Sequence, residues 1–93
     1  MAHALIIHRV QDYAAWKRIF DEASTIRKAA GERNYQVFAY EEDAKKIVHF
    51  SEWESIAKAK MFFESPELVE IRKQAGVEAP RFIYLHQLAA GVL

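Results

Sequence analysis

Two kinds of hydrophobic pattern alternate along the chain. Residues 3–10 are mostly apolar and partly β-branched, and they stop at Gln11-Asp12, where an aspartate can cap a helix. From Tyr13 the apolar positions recur every three or four residues as far as Ala30, and Gly31 is a residue type that often ends a helix. The pattern predicts a strand followed by one helix over residues 13–30.

The middle of the chain has the pattern of a hairpin followed by a helix. Residues 35–41 and 45–53 predict two strands joined at Glu42-Asp43-Ala44, with acidic residues leading in and lysines leading out. A capping box at Ser51 and Glu54 is one start for the next helix, and Ser55 is another. We favour Ser55, because Trp53 fits a strand better.

A clearer helix start follows at Ser65-Pro66-Glu67, since serine caps, proline suits the first helical position and glutamate complements the helix dipole. This helix is predicted to end at Gly76. Pro80 then precedes a last strand over residues 81–88, and residues 89–93 form a tail.

The element order is therefore β-α-β-β-α-β, which predicts one α+β domain over residues 1–93. This is the order of the ferredoxin-like fold, in which a four-stranded antiparallel sheet carries its helices on one face. The other face of the sheet then needs a cover.

Side chains alternate between the two faces of a strand, so the predicted strands can be divided into two sets. The hydrocarbon set is expected to pack against the helices and contains Leu5, Ile7, Val37, Ala39, Val48, Phe50, Ile83 and Leu85. The opposite set contains Ile6, His8, Val10, Gln36, Phe38, Tyr40, Ile47, His49, Ser51, Trp53, Phe82, Tyr84 and His86. Aromatic walls with a few convergent polar groups are typical of small-molecule sites. Alternatively, the second set packs against a partner, with its imidazoles hydrogen-bonded to tyrosines or water.

Composition and charge narrow the class of protein. Hydrophobic residues make up 52% of the chain and aromatic residues 13%, more than a small two-layer domain easily buries, which predicts a homodimer formed through a sheet face. Basic and acidic residues number 13 each, so the chain has no net positive charge to attract nucleic acid, and we do not expect it to bind DNA or RNA. The sequence contains no cysteine, no signal-peptide pattern and no apolar run long enough to span a membrane, and we expect a cytoplasmic protein.

Three short motifs carry a resemblance to a known group of proteins. They are Asp12-Tyr13-x-x-Trp16, Glu52-Trp53-x-Ser55 and, ten residues later, Ser65-Pro66-x-Leu68. With these motifs, nearly the whole chain resembles the antibiotic biosynthesis monooxygenase-like proteins, which are dimeric α+β barrels. The resemblance implies a homodimer in which two sheets pack face to face around a ligand-binding lumen.

The resemblance also implies an activity. Similar proteins oxidise polycyclic phenols or quinols without a cofactor, so this chain is expected to be a monooxygenase, an oxidoreductase acting on an aromatic or quinone-like molecule. Imidazole suits proton removal at neutral pH, which makes His8, His49 and His86 candidate general bases. The residues expected to bind substrate are Phe38, Tyr40, Trp53, Phe62 and Tyr84. A non-catalytic ligand-binding or structural homodimer of the same fold is the alternative.

Haem and metal chemistry are not expected. The haem-degrading proteins of this group use an asparagine, a tryptophan and an axial histidine at positions that here hold His8, Phe62 and Arg72. Arginine has no free lone pair for iron. The candidate histidines come one per strand without a close pair, so no metal site is predicted, and His3 is expected to be solvated.

The remaining charged groups are expected at the surface. Glu41, Glu42 and Asp43 lie at the predicted hairpin tip. The basic residues of the first helix region alternate with acidic ones, as on an exposed helix flank, and the group comprises Lys17, Arg18, Asp21, Glu22, Arg27, Lys28, Glu32 and Arg33. No glycine-rich phosphate loop is present.

Overall fold

The computed structural model describes all 93 residues and has the predicted ferredoxin-like order. The elements are β1 (Ala2–Val10), α1 (Tyr13–Glu22), α2 (Ser24–Ala30), β2 (Glu32–Tyr40), β3 (Asp43–Trp53), α3 (Ile56–Phe63), α4 (Pro66–Gln74) and β4 (Val77–His86). The sheet has the strand order β2-β3-β1-β4, and all neighbouring pairs are antiparallel. The α+β fold with a four-stranded antiparallel sheet is therefore confirmed.

The predicted helix caps form as expected. Asp12 Oδ1 accepts from the Ala14 amide at 3.2 Å, Ser55 Oγ from the Lys58 amide at 3.1 Å, and Ser65 Oγ from the Leu68 amide at 3.3 Å. Each bond satisfies an amide that the first helical turn leaves without a backbone partner. The capping box at Ser51 is not used, because Ser51 lies within β3.

The helix predicted over residues 13–30 is divided at Ala23 into α1 and α2. The guanidinium of Arg27 donates to the carbonyl oxygen of Phe20 in the last turn of α1. A side chain thus provides a hydrogen bond for a carbonyl group next to the break between the helices. Gly31 ends α2 with φ of 121°, a conformation that side chains with a Cβ rarely adopt.

All four strands start earlier than predicted, and the two with the largest difference, β2 and β4, each contain a bulge. In β2, which begins at Glu32 instead of residue 35, the register to β3 shifts between Glu32 and Asn34. In β4, which runs over Val77–His86 instead of residues 81–88, the register to β1 shifts so that Ala79-Pro80 lies opposite His8. Pro80 is tolerated because β4 is an edge strand, and Ala79 has a positive φ of 48°.

The assignment of sheet faces from sequence is wrong for three strands. Paired residues share a face, and the buried residues of β1 and β3 are Ala4, Ile6, His8, Val10, Ile47, His49, Ser51 and Trp53. This histidine-containing face is the one that the helices cover. On β2 alone the prediction holds, since Val37 pairs with His49 on the covered face while Phe38 lies on the other face.

The hydrocarbon side chains of the other three strands lie on a face without a helix. We call this surface the open face; its members are Leu5, Ile7, Val48, Phe50, Ile83 and Leu85, joined by Phe38. The predicted solvated position of His3 is also wrong, because its ring stacks on Phe50 with centroids 4.9 Å apart and the residue is buried. The open face is thus apolar and half-buried at most of its positions.

The core between sheet and helices forms two clusters of buried apolar residues. The first comprises Ala4, Ile6, Trp53, Ala59, Phe62, Phe63 and Leu68, and the second Val10, Trp16, Phe20, Ile47 and Ala75. Trp53 is fully buried, and its Nε1 donates to Ser51 Oγ at 2.8 Å. The hydrogen bond satisfies the indole, so burial of this large ring leaves no unpaired donor. No helix in the chain combines the length and apolar character needed to cross a membrane.

Replacement of Trp53 by phenylalanine should lower the free energy of unfolding by about 2 kcal/mol, because it shrinks a filled core site and leaves Ser51 without its donor. Urea denaturation measures this difference. Met61→Leu is the control, since Met61 is 75% exposed and its replacement should change stability by less than about 0.5 kcal/mol. Equal effects of the two substitutions would contradict the central place of Trp53 in the core.

Candidate functional site

A cavity of about 70 Å³ lies between the covered face of the sheet and the helices of the same chain. Its lining is mostly apolar and aromatic and comprises Ile6, His8, Trp16, Ile19, Phe20, Ala23, Arg27, His49, Phe63, Leu68, Ile71, Arg72, Ala75, Val77 and Phe82. Five of these side chains contain nitrogen atoms that can donate hydrogen bonds, and they belong to His8, Trp16, Arg27, His49 and Arg72. All of these residues belong to one subunit, so the cavity needs no second chain to form, and the lumen between two sheets that the resemblance implied stays a prediction.

His8 lies on the inner strand β1 and lines the cavity on the side of the sheet. It is 5% exposed, and its ring contacts Trp16 with centroids 5.3 Å apart. The pKa of His8 is lowered to about 4, mainly by burial; the backbone of Arg9 opposes this change, and His49 and Arg72 contribute to it. His8 is thus neutral at pH 7. Its Nδ1 is buried and has no hydrogen-bond partner of acceptable geometry.

His49, on the neighbouring strand β3, is hydrogen-bonded to the buried ion pair of Glu32 and Arg27. Its Nε2 donates to Glu32 Oε2 at 3.0 Å, and Arg27 Nε donates to Glu32 Oε1 at 2.7 Å. The bulge in β2 allows Glu32 to turn toward the covered face, where it lies opposite Trp53. A carboxylate on one imidazole nitrogen fixes the tautomer and leaves the other nitrogen, Nδ1, as the basic atom.

Aromatic contacts and a further hydrogen bond also hold the side chain of Arg27 in place. Its guanidinium lies 3.7 Å from the centroid of Phe20 and 5.4 Å from that of Tyr35, and it also donates to the Phe20 carbonyl. Stacking on aromatic faces suits the planar, weakly hydrated guanidinium. The positive charge of Arg27 is therefore balanced by Glu32 within the protein.

Arg72 enters the cavity wall from α4 without such a partner. Its guanidinium lies 5.0 Å from the centroid of Phe82, and its Nη1 is buried without a hydrogen bond. It takes part in no salt bridge with a carboxylate. Burial lowers the pKa of Arg72, and Tyr84 opposes this change. Arginine nevertheless keeps its charge in proteins, so the cavity contains one uncompensated cation.

The structure brings together two of the three predicted histidines. His8 and His49 line the same cavity, whereas His86 is exposed at the end of β4. No group of three or more histidine, aspartate or glutamate side chains has a spacing suited to a metal ion. Catalytic roles for the three histidines stay predictions, but only His8 and His49 share a site.

The five predicted substrate-binding residues lie outside this cavity. Trp53 and Phe62 are buried in the first core cluster, and Tyr84 packs against the same cluster. Phe38 and Tyr40 are exposed on the edge strand β2, where Phe38 belongs to the open face. The aromatic walls come instead from Trp16, Phe20, Phe63 and Phe82.

The prediction of an exposed flank was wrong for Arg27 and Glu32, which are both buried. A sequence signal for Arg27 existed, because it continues the buried stripe of Trp16, Phe20 and Ala23 at intervals of three or four residues. No comparable signal marked Glu32, since the bulge that turns it inward is a property of the paired strands.

Comparisons with known proteins support the fold. No protein-family model matches the sequence, and no curated protein matches it either. A solved structure from Bordetella bronchiseptica, provisionally assigned as an antibiotic biosynthesis monooxygenase, has a TM-score of 0.78 at 17% identity and covers 95% of this chain and 97% of its own. SnoaB, a cofactor-independent oxygenase from Streptomyces nogalater, has a TM-score of 0.76 at 8% identity, with coverages of 96% and 94%.

A third structure is a monooxygenase from the gene ActVA-Orf6 of Streptomyces coelicolor, in complex with the ligand nanaomycin D. Its TM-score is 0.67 at 17% identity, and the match covers 99% of this chain and 91% of that one. Identities this low establish a shared fold. The predicted resemblance to the antibiotic biosynthesis monooxygenase-like proteins is thereby confirmed as a resemblance of structure.

The buried, neutral state of His8 predicts a loss of stability in acid. The unfolded chain takes up a proton near pH 6.5 but the folded chain only near pH 4, so protonation between these values favours unfolding. Each pKa unit corresponds to about 1.4 kcal/mol, which gives a loss of about 3 kcal/mol as the pH falls from 7 to 4. Urea denaturation across this range measures it.

The control for this prediction is His8→Gln, which has no titrating group at the site. The difference in unfolding free energy between wild type and variant should shrink as the pH falls. A difference that stays constant from pH 7 to pH 4 would show that His8 titrates equally in both states.

Proposed function

We propose that the chain is a cofactor-independent monooxygenase that acts on a small aromatic or quinol-type molecule in this cavity. The observation that carries the proposal is His49, held by the carboxylate of Glu32 in the wall of a mostly apolar, aromatic cavity. Similarity of fold to SnoaB and to the ActVA-Orf6 monooxygenase supports the same chemistry.

In the proposed reaction, His49 Nδ1 removes a proton from the substrate, and the resulting anion supplies electrons to dioxygen. A phenol then takes up one oxygen atom and becomes a quinone. Two hydrogen atoms leave with the second oxygen atom as water, so no external reductant is needed. The role of the protein is to position the substrate, exclude water and accept the proton.

His49 is a better candidate for the base than the other two histidines. His8, with its pKa lowered to about 4, holds a proton too weakly to drive its removal from a phenol. His86 is exposed and lies outside the cavity. His49, in contrast, lines the cavity and is held in position by the Glu32 carboxylate.

We further propose a cytoplasmic homodimer formed through the open face. No helix covers its apolar side chains, and an apolar patch of this kind on a protein surface commonly marks an interface. Packing two open faces together would bury them. The interface would then lie on the opposite side of the sheet from the cavity, and each subunit would keep a complete site.

Replacement of His49 by glutamine should reduce kcat by about 10²-fold to 10⁴-fold with little change in KM, because a hydrogen-bonding side chain stays but the base is lost. Oxygen uptake with a panel of single-ring and fused-ring phenols and hydroquinones measures turnover. His86→Gln is the matched comparison and should keep full turnover.

Ligand binding without oxygen uptake by the wild-type protein would contradict the enzyme and favour the non-catalytic binding protein. Full turnover in His49→Gln would remove His49 as the base while leaving the reaction class intact.

A charge placed in the open face should separate the dimer. Leu5 lies between Phe50 and Ile83, so Leu5→Glu buries an unpaired carboxylate if two sheets pack together and is expected to give a monomer in native mass spectrometry. Met61→Glu, on the exposed side of α3, is the control and should leave the mass unchanged. A monomeric wild-type protein would contradict the proposed interface.

A further inference from the structure

Two buried nitrogen atoms without partners lie in the wall of one cavity. They are His8 Nδ1, on the central strand of the sheet, and Arg72 Nη1, on α4. They are the only buried side-chain nitrogen or oxygen atoms in the protein that lack a hydrogen bond. Buried polar groups are nearly always paired in folded proteins, so two exceptions in one cavity point to a ligand that supplies the missing partner.

The charges around the cavity indicate the charge of the ligand. Arg27 is neutralised by Glu32, whereas Arg72 faces no carboxylate, and no acidic side chain lines the cavity. A guanidinium can only donate hydrogen bonds, whereas a neutral imidazole can donate or accept. An oxygen with negative charge satisfies Arg72 in both charge and hydrogen bonding.

The walls of the cavity define the shape of the ligand. Trp16 and Phe82 are flat apolar surfaces beside the two nitrogen atoms, and the Arg72 guanidinium already lies over the Phe82 ring. The volume of about 70 Å³ is well below the roughly 300 Å³ at which sites for drug-sized ligands begin. A flat ligand with one ring requires the least movement of these walls.

We propose that the cavity binds a compact single-ring organic anion, a carboxylate or phenolate, with its charged oxygen between Arg72 Nη1 and His8 Nδ1. This inference rests on the proposed function in assigning the ligand to the same cavity, and it specifies the substrate class. Bound in this way, a phenolate is stabilised by Arg72 after proton removal. Arg72 is then a binding residue, and His49 keeps the role of base.

Isothermal titration calorimetry with benzoate and benzamide tests the proposal, because the two molecules have nearly the same shape and differ in charge. Wild-type protein is expected to bind benzoate at least 10-fold more tightly than benzamide. Arg72→Gln should remove most of this preference, while benzamide binding changes little. Arg18→Gln removes the same charge from an exposed site on α1 and should keep the preference.

Equal binding of the two molecules by the wild type, or binding of neither, would overturn the proposal even if Arg72→Gln failed to fold. An unchanged preference in Arg72→Gln, or the same loss in Arg18→Gln, would also overturn it. The imidazole ¹⁵N signal of His8, assigned by its absence in His8→Gln, should move when benzoate is added; a signal that does not move would contradict the position given to the oxygen.

The two proposals fail in different experiments. Preferential benzoate binding that depends on Arg72, together with no oxygen uptake on any phenol, would reject the monooxygenase and keep the anion site. Oxygen uptake with no preference for benzoate would reject the anion site and keep the monooxygenase.

Discussion

The Glu32 carboxylate, bound on one side by Arg27 and on the other by His49, joins three parts of the fold. Arg27 belongs to α2, Glu32 begins β2, and His49 lies in the middle of β3. Removing such groups from water is costly, and the cost is offset only where the partners keep good geometry. The break between α1 and α2 and the bulge at the start of β2 both accompany this arrangement. Loss of one partner would leave a buried charge uncompensated.

The same interaction explains the unusual distribution of polarity across the sheet. The face covered by helices contains two histidines, a serine and a glutamate, while the middle of the face without helices is formed by aliphatic and phenylalanine side chains. The polar groups tolerate burial because most are paired: Ser51 with Trp53, and His49 with Glu32. Only His8 and Arg72 are left with a buried nitrogen unpaired, and both residues line the cavity. The proposed anion site thus uses the two residues whose buried nitrogen atoms have no partner within the protein.

The bulge in β4 has a corresponding role at the other edge of the sheet. Ala79-Pro80 interrupts the ladder opposite His8, so this residue has a regular neighbour on β3 but none on β4. Proline cannot donate to the ladder, and it is accepted because the strand lies at the edge. The irregular backbone therefore lies beside His8, whose buried Nδ1 has no hydrogen-bond partner. Bulges are often found next to active sites, where they redirect a side chain or end the pairing of two strands.

Sequence alone determined the local features of this protein. Asp12, Ser55 and Ser65 cap helices, and Gly31 and Gly76 end them, because these effects depend only on side chains and backbone within a few residues. The order of strands and helices followed from hydrophobic periodicity, and with it the ferredoxin-like fold. Even the grouping of His8, His49, Trp53 and Tyr84 on one face was correct, since alternation along a strand is a local property.

Which face the helices cover was decided only by the tertiary structure. The hydrophobic effect favours burial of a hydrocarbon face, and a mixed face can also be buried where its polar groups are paired. Alternation of side chains along a strand does not show which of the two faces the helices cover. The burial of Arg27 and Glu32 depends on a strand register with a bulge, and the meeting of His8 with Arg72 depends on how α4 packs against the sheet. Contacts between residues distant in sequence are settled by packing, and the cavity is made entirely of such contacts.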